Sequence, residues 1–230
     1  MKQPTRKQRP RPADFGAHDV GEGRELERII FFSDAVFAIV VTLLVLDIRV
    51  PEIPPSLVAQ QLPAALAALW PNIFSFVVSF ILIGLYFWQM HHSTFRTILK
   101  YDDRLLFINV LLLMGVAFLP FSVSLVSEYG NQRIAAAIYL GNMAGVGLLL
   151  AGLFWYALRR KLVDPALDAR APRRMLAGLL ALPLTCLLGL FLSLWAPSVW
   201  WLVFLLVRPL ELVLIGLFAA RQRKEQVPSR

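Results

Sequence analysis

The chain has 230 residues, of which 58% are hydrophobic and 17% are charged, and its formal net charge at pH 7 is +8. The apolar residues form long blocks separated by short loops, which leaves no room for a sizeable soluble domain and so excludes a soluble catalytic domain. A helix needs about 20 apolar residues to cross the hydrocarbon core of a bilayer. The composition therefore predicts an all-α polytopic membrane protein.

Six stretches are long and apolar enough to cross a membrane, which predicts six transmembrane helices per subunit. In chain order they are 29–48, 70–88, 105–126, 134–158, 175–195 and 199–220. We expect a disordered basic cytoplasmic tail at 1–27, a six-helix domain at 28–220 and a cytoplasmic C-terminal tail at 221–230. The first tail has neither the apolar core nor the cleavage site of a secretory signal.

Lysine and arginine are distributed unequally between the two sides of the predicted helices. Seven precede the first span, three follow the second, six follow the fourth and four lie at the C-terminus, whereas the opposite side has only Arg49 and Arg133. The positive-inside rule therefore predicts that the protein lies in the cell membrane with both termini in the cytoplasm. The basic excess thus reflects topology, so we expect membrane lipid and no nucleic acid as a partner.

The first span carries Ser33 and Asp34 in its first two turns, about 8 to 9 Å from its cytoplasmic start at 1.5 Å per residue. An ionised side chain at this depth is costly and marks either a pathway or a polar contact between helices. The second span ends on the same side and the third begins there. Topology therefore places these side chains at one depth: Ser33, Asp34, Trp88, His91, His92 and Asn109.

Three interpretations of this cluster are open. A metal site would need His91, His92 and Asp34 to converge, but neighbouring histidines on a helix point about 100° apart, which argues against one shared ion. A proton relay through Asp34 and a histidine is a second interpretation, because histidine titrates near neutral pH. The pattern favours the third, a clamp between the first three spans in which polar groups satisfy one another.

The first span also has an apolar stripe. At about 100° per residue, Ile39, Leu43 and Leu46 fall within roughly 60° of one another, whereas Asp34 points about 140° away from Ile39. In a single subunit this stripe would contact lipid or another helix. In an oligomer, the stripes of several copies would meet at a symmetry axis.

Later spans carry fewer polar residues. Pro120 lies late in the third span and predicts a kink there. In the sixth span Glu211 follows Arg208 by three residues on the same helix face, which we interpret as a structural ion pair, with a transport role as the alternative. The single cysteine, Cys186, cannot form an intrachain disulfide.

Residues 27–121 resemble a known family, the transmembrane protein 175 family of potassium channels. The resemblance depends on motifs in the first three predicted helices. These are Arg28 with Phe32-Ser33-Asp34, 36–39 and 42–46 in the first, Trp88, His91, His92 and Phe95 in the second, and Asp102, Asn109 and 118–121 in the third.

The resemblance implies a passive potassium-permeable cation channel, assembled as a homotetramer around a pore that the first helix lines. It implies that 28–220 is a channel domain, that potassium is the permeant ion, and that no cofactor is needed. The implied constriction is Ile39, Leu43 and Leu46, with Thr42 also lining the pore. The implied inter-helix polar network is Arg28, Phe32, Ser33, Asp34, Trp88, His91, His92 and Asn109.

A transporter and an intramembrane enzyme are the two alternatives to a channel. A secondary ion-coupled transporter often has internal repeats and matched broken helices, and neither is evident in the sequence. An intramembrane enzyme would need a nucleophile with a positioned base, and the sequence suggests none, so we expect no catalytic residue. A ring of apolar side chains, by contrast, can gate an ion pathway by excluding water.

Overall fold

A computed structural model describes residues 17–168, 170–195 and 200–225, without the side chains of 17–23, 200–201 and 218–225. These residues are almost wholly helical. The α-helices are α1 (Ala17–Leu43), α2 (Val58–Ala68), α3 (Trp70–Phe80), α4 (Gln89–Phe95), α5 (Asp103–Ala117), α6 (Leu119–Tyr129), α7 (Arg133–Arg159), α8 (Ala171–Ser193) and α9 (Val207–Glu225). A π-helical segment, Ile81–Trp88, joins α3 to α4, and 3₁₀ turns occupy Leu44–Asp47, Pro55–Leu57 and Trp200–Leu206.

Five helical stretches within the described residues are long and apolar enough to cross a membrane. They are Arg24–Asp47, Trp70–Phe95, Asp103–Tyr129, Arg133–Arg159 and Ala171–Ser193. They coincide with the first five predicted spans, and the predicted all-α membrane fold is confirmed.

The sixth predicted span is divided into two kinds of helix. Trp200–Leu206 is a 3₁₀ helix and Val207–Glu225 is α-helical, while residue 199 lies outside the described residues. Pro209 in the first turn of α9 explains the division, because proline has no N–H with which to continue an α-helix from the preceding turn. Arg208 donates to the Glu211 carboxylate, so the predicted ion pair forms. The count of six spans stays a prediction.

The first helix begins earlier than the boundary at residue 28 that the sequence suggested. α1 starts at Ala17, and Leu26 is buried in a small cluster that includes Phe95 and Leu105. Hydropathy locates the membrane boundary, whereas helical hydrogen bonding continues into polar sequence beyond it. The packed part of the chain therefore includes part of the predicted tail. The prediction for residues 1–16 lies outside the described residues.

The core is built around α7, which packs against α5, α6 and α8. A β-carbon at Gly147 would lie only 2.9 Å from Cδ of Pro183, so α7 and α8 approach this closely because residue 147 is glycine. The third span is interrupted at Phe118, between α5 and α6, and Pro120 lies in the first turn of α6. The α-helix is therefore interrupted two residues before the proline at which the sequence predicted a kink.

The loop after the second span and the loop after the fourth are joined by main-chain hydrogen bonds. The Leu99 amide donates to the Leu162 carbonyl over 2.9 Å, and the Asp164 amide donates to the Thr97 carbonyl over 2.8 Å. These bonds connect the end of the second span to the end of the fourth. The loops that the charge distribution places in the cytoplasm therefore share one surface.

Asp102 connects the same two regions through its side chain. Its carboxylate caps α5 by accepting from the Leu105 amide over 2.9 Å, and it accepts from the Tyr156 hydroxyl over 2.7 Å. Burial raises the pKa of Asp102, but these two hydrogen bonds and the guanidinium of Arg160, 3.8 Å away, together lower it more. As a result, the pKa of the Asp102 carboxyl lies below the ordinary value for aspartate.

We expect this contact to give the protein an acid-dependent loss of stability. Because the folded pKa of Asp102 is depressed, its stabilising contribution is complete above the ordinary aspartate pKa and is lost as the pH falls through the folded value. Melting temperatures in detergent should fall as the pH is lowered through and below the ordinary aspartate pKa, and Asp102→Asn should show a smaller fall. Asp103→Asn, which changes the exposed neighbour, is the control. An Asp102→Asn variant with the full wild-type pH dependence would contradict the assignment.

Candidate functional site

The inner face of α1 and of the turn that follows it packs against the second and third spans. Ser33, Phe37, Val40 and Leu44, spaced by four, three and four residues, are each at most 3% exposed. This spacing is that of one helix face. The buried row fixes which side of α1 points into the protomer.

The opposite face of α1 is apolar and exposed. The exposed fractions of Ile39, Leu43 and Leu46 are 58%, 43% and 69%. Thr42 is exposed on the same face, and its hydroxyl donates to the Ile39 carbonyl over 2.8 Å. We call these four residues the α1 ridge. Within the described protomer the ridge is left uncovered, so it faces either lipid or further copies of the chain.

A chain of hydrogen bonds joins the first three spans near the start of the first one. The Ser33 hydroxyl donates to the Ile29 carbonyl over 2.9 Å, and the Asn109 amide nitrogen donates to the Ser33 oxygen over 3.0 Å. The Asn109 amide oxygen lies 2.9 Å from Nε2 of His91. Since an amide oxygen can only accept, His91 must donate from Nε2.

This direction fixes the tautomer of His91. Nδ1 of the neutral ring then carries a lone pair, and it is buried without a hydrogen-bond partner among the described residues. The ring packs against Phe37 and Phe95, with centroids 5.4 Å and 4.5 Å away. A second proton on Nδ1 would meet these apolar neighbours instead of an acceptor. The surroundings of His91 thus suit a fixed contact between helices.

A second, separate contact involves Asp34. The indole Nε1 of Trp88 donates to Oδ1 of Asp34 over 2.9 Å, and the ring of His92 stacks on Trp88 with centroids 5.7 Å apart. Asp34 is half-buried and is the acceptor of this bond. The residues that the sequence placed at one depth therefore form two pairings, one through Ser33 and one through Asp34.

Two residues that the resemblance assigned to the network lie outside both pairings. Arg28 is exposed, and Phe32 is 60% exposed. They line a cavity of about 360 Å³ on the third-span side of α1, together with Tyr101 and Val110. Phe32 precedes Ser33 by one residue and so points about 100° away from the buried row, which explains its exposure.

One polar contact at the other end of α1 was not predicted. The Ser127 hydroxyl donates to the Asp47 carboxylate over 2.8 Å, and the side-chain amide of Asn72 donates to the Ser127 hydroxyl oxygen over 3.3 Å. The signal in the sequence was an ionisable residue directly after an apolar span. Across the described part of the chain, no group of three or more His, Cys, Asp or Glu side chains could hold a metal ion.

Comparison with known proteins finds similarity over most of the chain. The family model described as endosomal/lysosomal potassium channel TMEM175 matches residues 28–120. A protein named potassium channel from Streptomyces collinus is 39% identical over 170 residues, which are 70% of this chain and 81% of that protein. A protein of the same name from Chamaesiphon minutus is 38% identical over 139 residues, 59% of this chain and 68% of that protein.

Solved structures share the fold. The crystal structure of a lysosomal potassium-selective channel TMEM175 homologue from Chamaesiphon minutus superposes with a TM-score of 0.64 at 32% identity. The superposition covers 86% of this chain and 98% of that one. Since the match covers nearly the whole of that chain, the arrangement of helices described above is common to both proteins.

Replacing Asn109 tests the hydrogen-bonded chain. Asn109→Leu keeps the approximate volume but leaves Nε2–H of His91 and the Ser33 oxygen without this partner, at a cost of about 1–3 kcal/mol for each buried group. We expect a clearly lower melting temperature in detergent. The control is Asn142→Leu, which removes a half-buried amide that donates to Ser122 over 3.2 Å. A loss no larger than that of the control would contradict the clamp.

Proposed function

The chain belongs to the TMEM175 family, and we propose that it is a potassium-permeable channel that conducts passively through a pore shared by four copies. The family is one of ion channels and not of enzymes. It also favours a channel over the ion-coupled transporter that the sequence left as an alternative. In this proposal potassium is the permeant ion and the tetramer is the functional unit.

The division of α1 into two faces is the observation that supports this proposal most directly. Its inner face is buried and its polar side chains are bonded, while the ridge is apolar and exposed. Ala35 and Ala38 lie beside the ridge and are exposed, and such small residues permit helices to approach closely. Four copies of α1 could therefore meet around one axis with the ridge toward it.

We propose Ile39, Leu43 and Leu46 as the constriction of that pore. From Ile39 to Leu46 the ridge extends about 12 Å along the axis, at 1.5 Å per residue as far as Leu43 and about 2 Å per residue in the 3₁₀ turn that follows. A narrow apolar neck of this length is unfavourable for water and ions until it widens, so it gates by dewetting. Thr42 adds a hydroxyl oxygen between these layers, and because its hydrogen is donated to the Ile39 carbonyl, its lone pairs can accept from the water of a hydrated cation.

The two pairings then hold α1 in the rotation that the pore needs. A change of rotation by one residue, about 100°, would bring the ridge toward the second or third span and would break both contacts. We propose that Ser33, Asp34, Trp88, His91, His92 and Asn109 serve this purpose and do not touch permeant ions. Arg28 and Phe32 are exposed on the flank of α1 and lie outside both pairings.

We also propose that the channel lies in the cell membrane with both termini in the cytoplasm. The excess of lysine and arginine supports this orientation, since the two loops joined at Leu99 and Leu162 are among the basic ones. The N-terminal end of α1 lies on the same side, because Leu26 packs against Phe95 and Ile98. Membrane lipid surrounds the remaining exposed apolar surface.

The constriction can be tested at Ile39. Ile39→Ser should widen and wet the neck, raising single-channel conductance by about twofold or more and moving the potassium-to-sodium permeability ratio toward one. Reversal potentials in planar bilayers measure the ratio. Leu217→Ser is the matched control, since Leu217 is 62% exposed but lies on α9. A ratio that Ile39→Ser leaves unchanged would remove Ile39 from the constriction.

The role of Asp34 can be separated from that of its charge. Asp34→Ala removes the acceptor of the Trp88 indole, and we expect loss of the assembled complex in detergent because α1 is no longer held. Asp34→Asn keeps a carbonyl acceptor and should retain the tetramer mass. Size-exclusion chromatography with light scattering measures both. An Asp34→Ala variant that assembles fully and shows altered ion preference would refute the clamp and indicate a pathway role.

A further inference from the structure

Tyr86, in the π-helical segment of the second span, contacts the backbone of α8. Its hydroxyl donates to the Gly178 carbonyl and accepts from the Leu182 amide over 3.3 Å. These are the acceptor and the donor that an α-helix joins across one turn. One side chain from another span thus bridges both partners of a helical hydrogen bond.

The bridged turn is a weak point of α8. Pro183 follows it directly, and because proline has no N–H, the Leu179 carbonyl lacks its usual donor four residues on. Pro183 itself is held against α7 by the close contact with Gly147. A helix that has lost part of its ladder bends more easily, unless another group supports it.

A third element reaches the same turn. A β-carbon at Gly178 would lie 3.6 Å from Oε1 of Glu211, the acidic partner of the Arg208 pair on α9. Glu211 therefore lies at van der Waals distance from the same turn of α8 that Tyr86 contacts. The second, fifth and sixth predicted spans meet at this turn.

The π-helical segment contacts α1 on its other side. A β-carbon at Gly84 would lie 4.0 Å from Cγ2 of Val41, and Trp88 donates to Asp34. Tyr86 lies two residues from both Gly84 and Trp88 and points to α8 instead. The segment is thus a physical link between α1 and α8.

We propose that Tyr86 is a positioning residue for conduction: it braces the proline turn of α8 and so holds the second span, which in turn holds α1. The inference rests on the proposed channel function for its link to ion flux. Without the hydroxyl, the second span can shift more freely, and the apolar neck that α1 forms widens more often. The composition of the neck stays the same, so ion preference does not change.

The test is Tyr86→Phe, with Tyr139→Phe as the matched control. Tyr139, in the fourth span, is also buried, and its hydroxyl lies 3.2 Å from the Ser79 hydroxyl of the second span. This contact is between two side chains and does not involve the backbone of a helical turn. In Tyr86→Phe we expect hydrogen–deuterium exchange in 178–186 to be several-fold faster. In proteoliposomes we expect potassium flux to rise about twofold with an unchanged potassium-to-sodium ratio. The control should change neither.

A second substitution makes the test specific. Pro183→Ala gives the Leu179 carbonyl its donor back, so in the double variant Tyr86→Phe, Pro183→Ala both exchange and flux should return toward wild type. If Tyr86→Phe does not assemble, recovery of assembly in the double variant supports the proposal and continued failure contradicts it. Exchange equal to the control, or an effect that Pro183→Ala does not reduce, would overturn it. Wild-type protein without flux would contradict the channel function, while exchange still tests the brace.

Discussion

The rest of this architecture depends on how one side of α1 is held. Phe37, Val40 and Leu44 are buried against the second and third spans, and Ser33 is hydrogen-bonded in the same row. Turning α1 by a single residue would expose these apolar side chains and strand the Ser33 hydroxyl, which makes one rotation strongly preferred. The direction of the ridge follows from this rotation, because the ridge is the face of α1 that stays exposed once the inner face is buried.

Polar and apolar contacts have separate tasks along this helix. The directional bonds lie near the start of the first span, where Asp34 and Asn109 each accept from a donor of the second span. Buried polar groups specify geometry when all of them are paired and are costly when one partner is removed. The apolar ridge needs no such partners, so it can line a neck whose width changes. In the proposed channel, different residues thereby hold the helix and gate the pore.

The sequence was informative where periodicity and depth determine position. The 3.6-residue period separated Ile39 from Asp34, and topology placed Trp88 and Asn109 at one depth. It could not show that these groups form two pairings, because the rotation of neighbouring helices depends on tertiary packing. It did not indicate that α1 extends back to Ala17, because hydropathy does not detect helix ends in polar sequence. Tyr86 was missed, since a contact with backbone leaves no pattern of residue types.

A structure of the assembled protein in lipid nanodiscs would test most directly whether the α1 ridge faces a shared axis. We expect four copies of α1 around one axis, with Ile39, Leu43 and Leu46 directed at that axis and Asp34 hydrogen-bonded to Trp88 within each subunit. A structure in which these three side chains contact acyl chains, with any conduction path bounded by other helices, would contradict it.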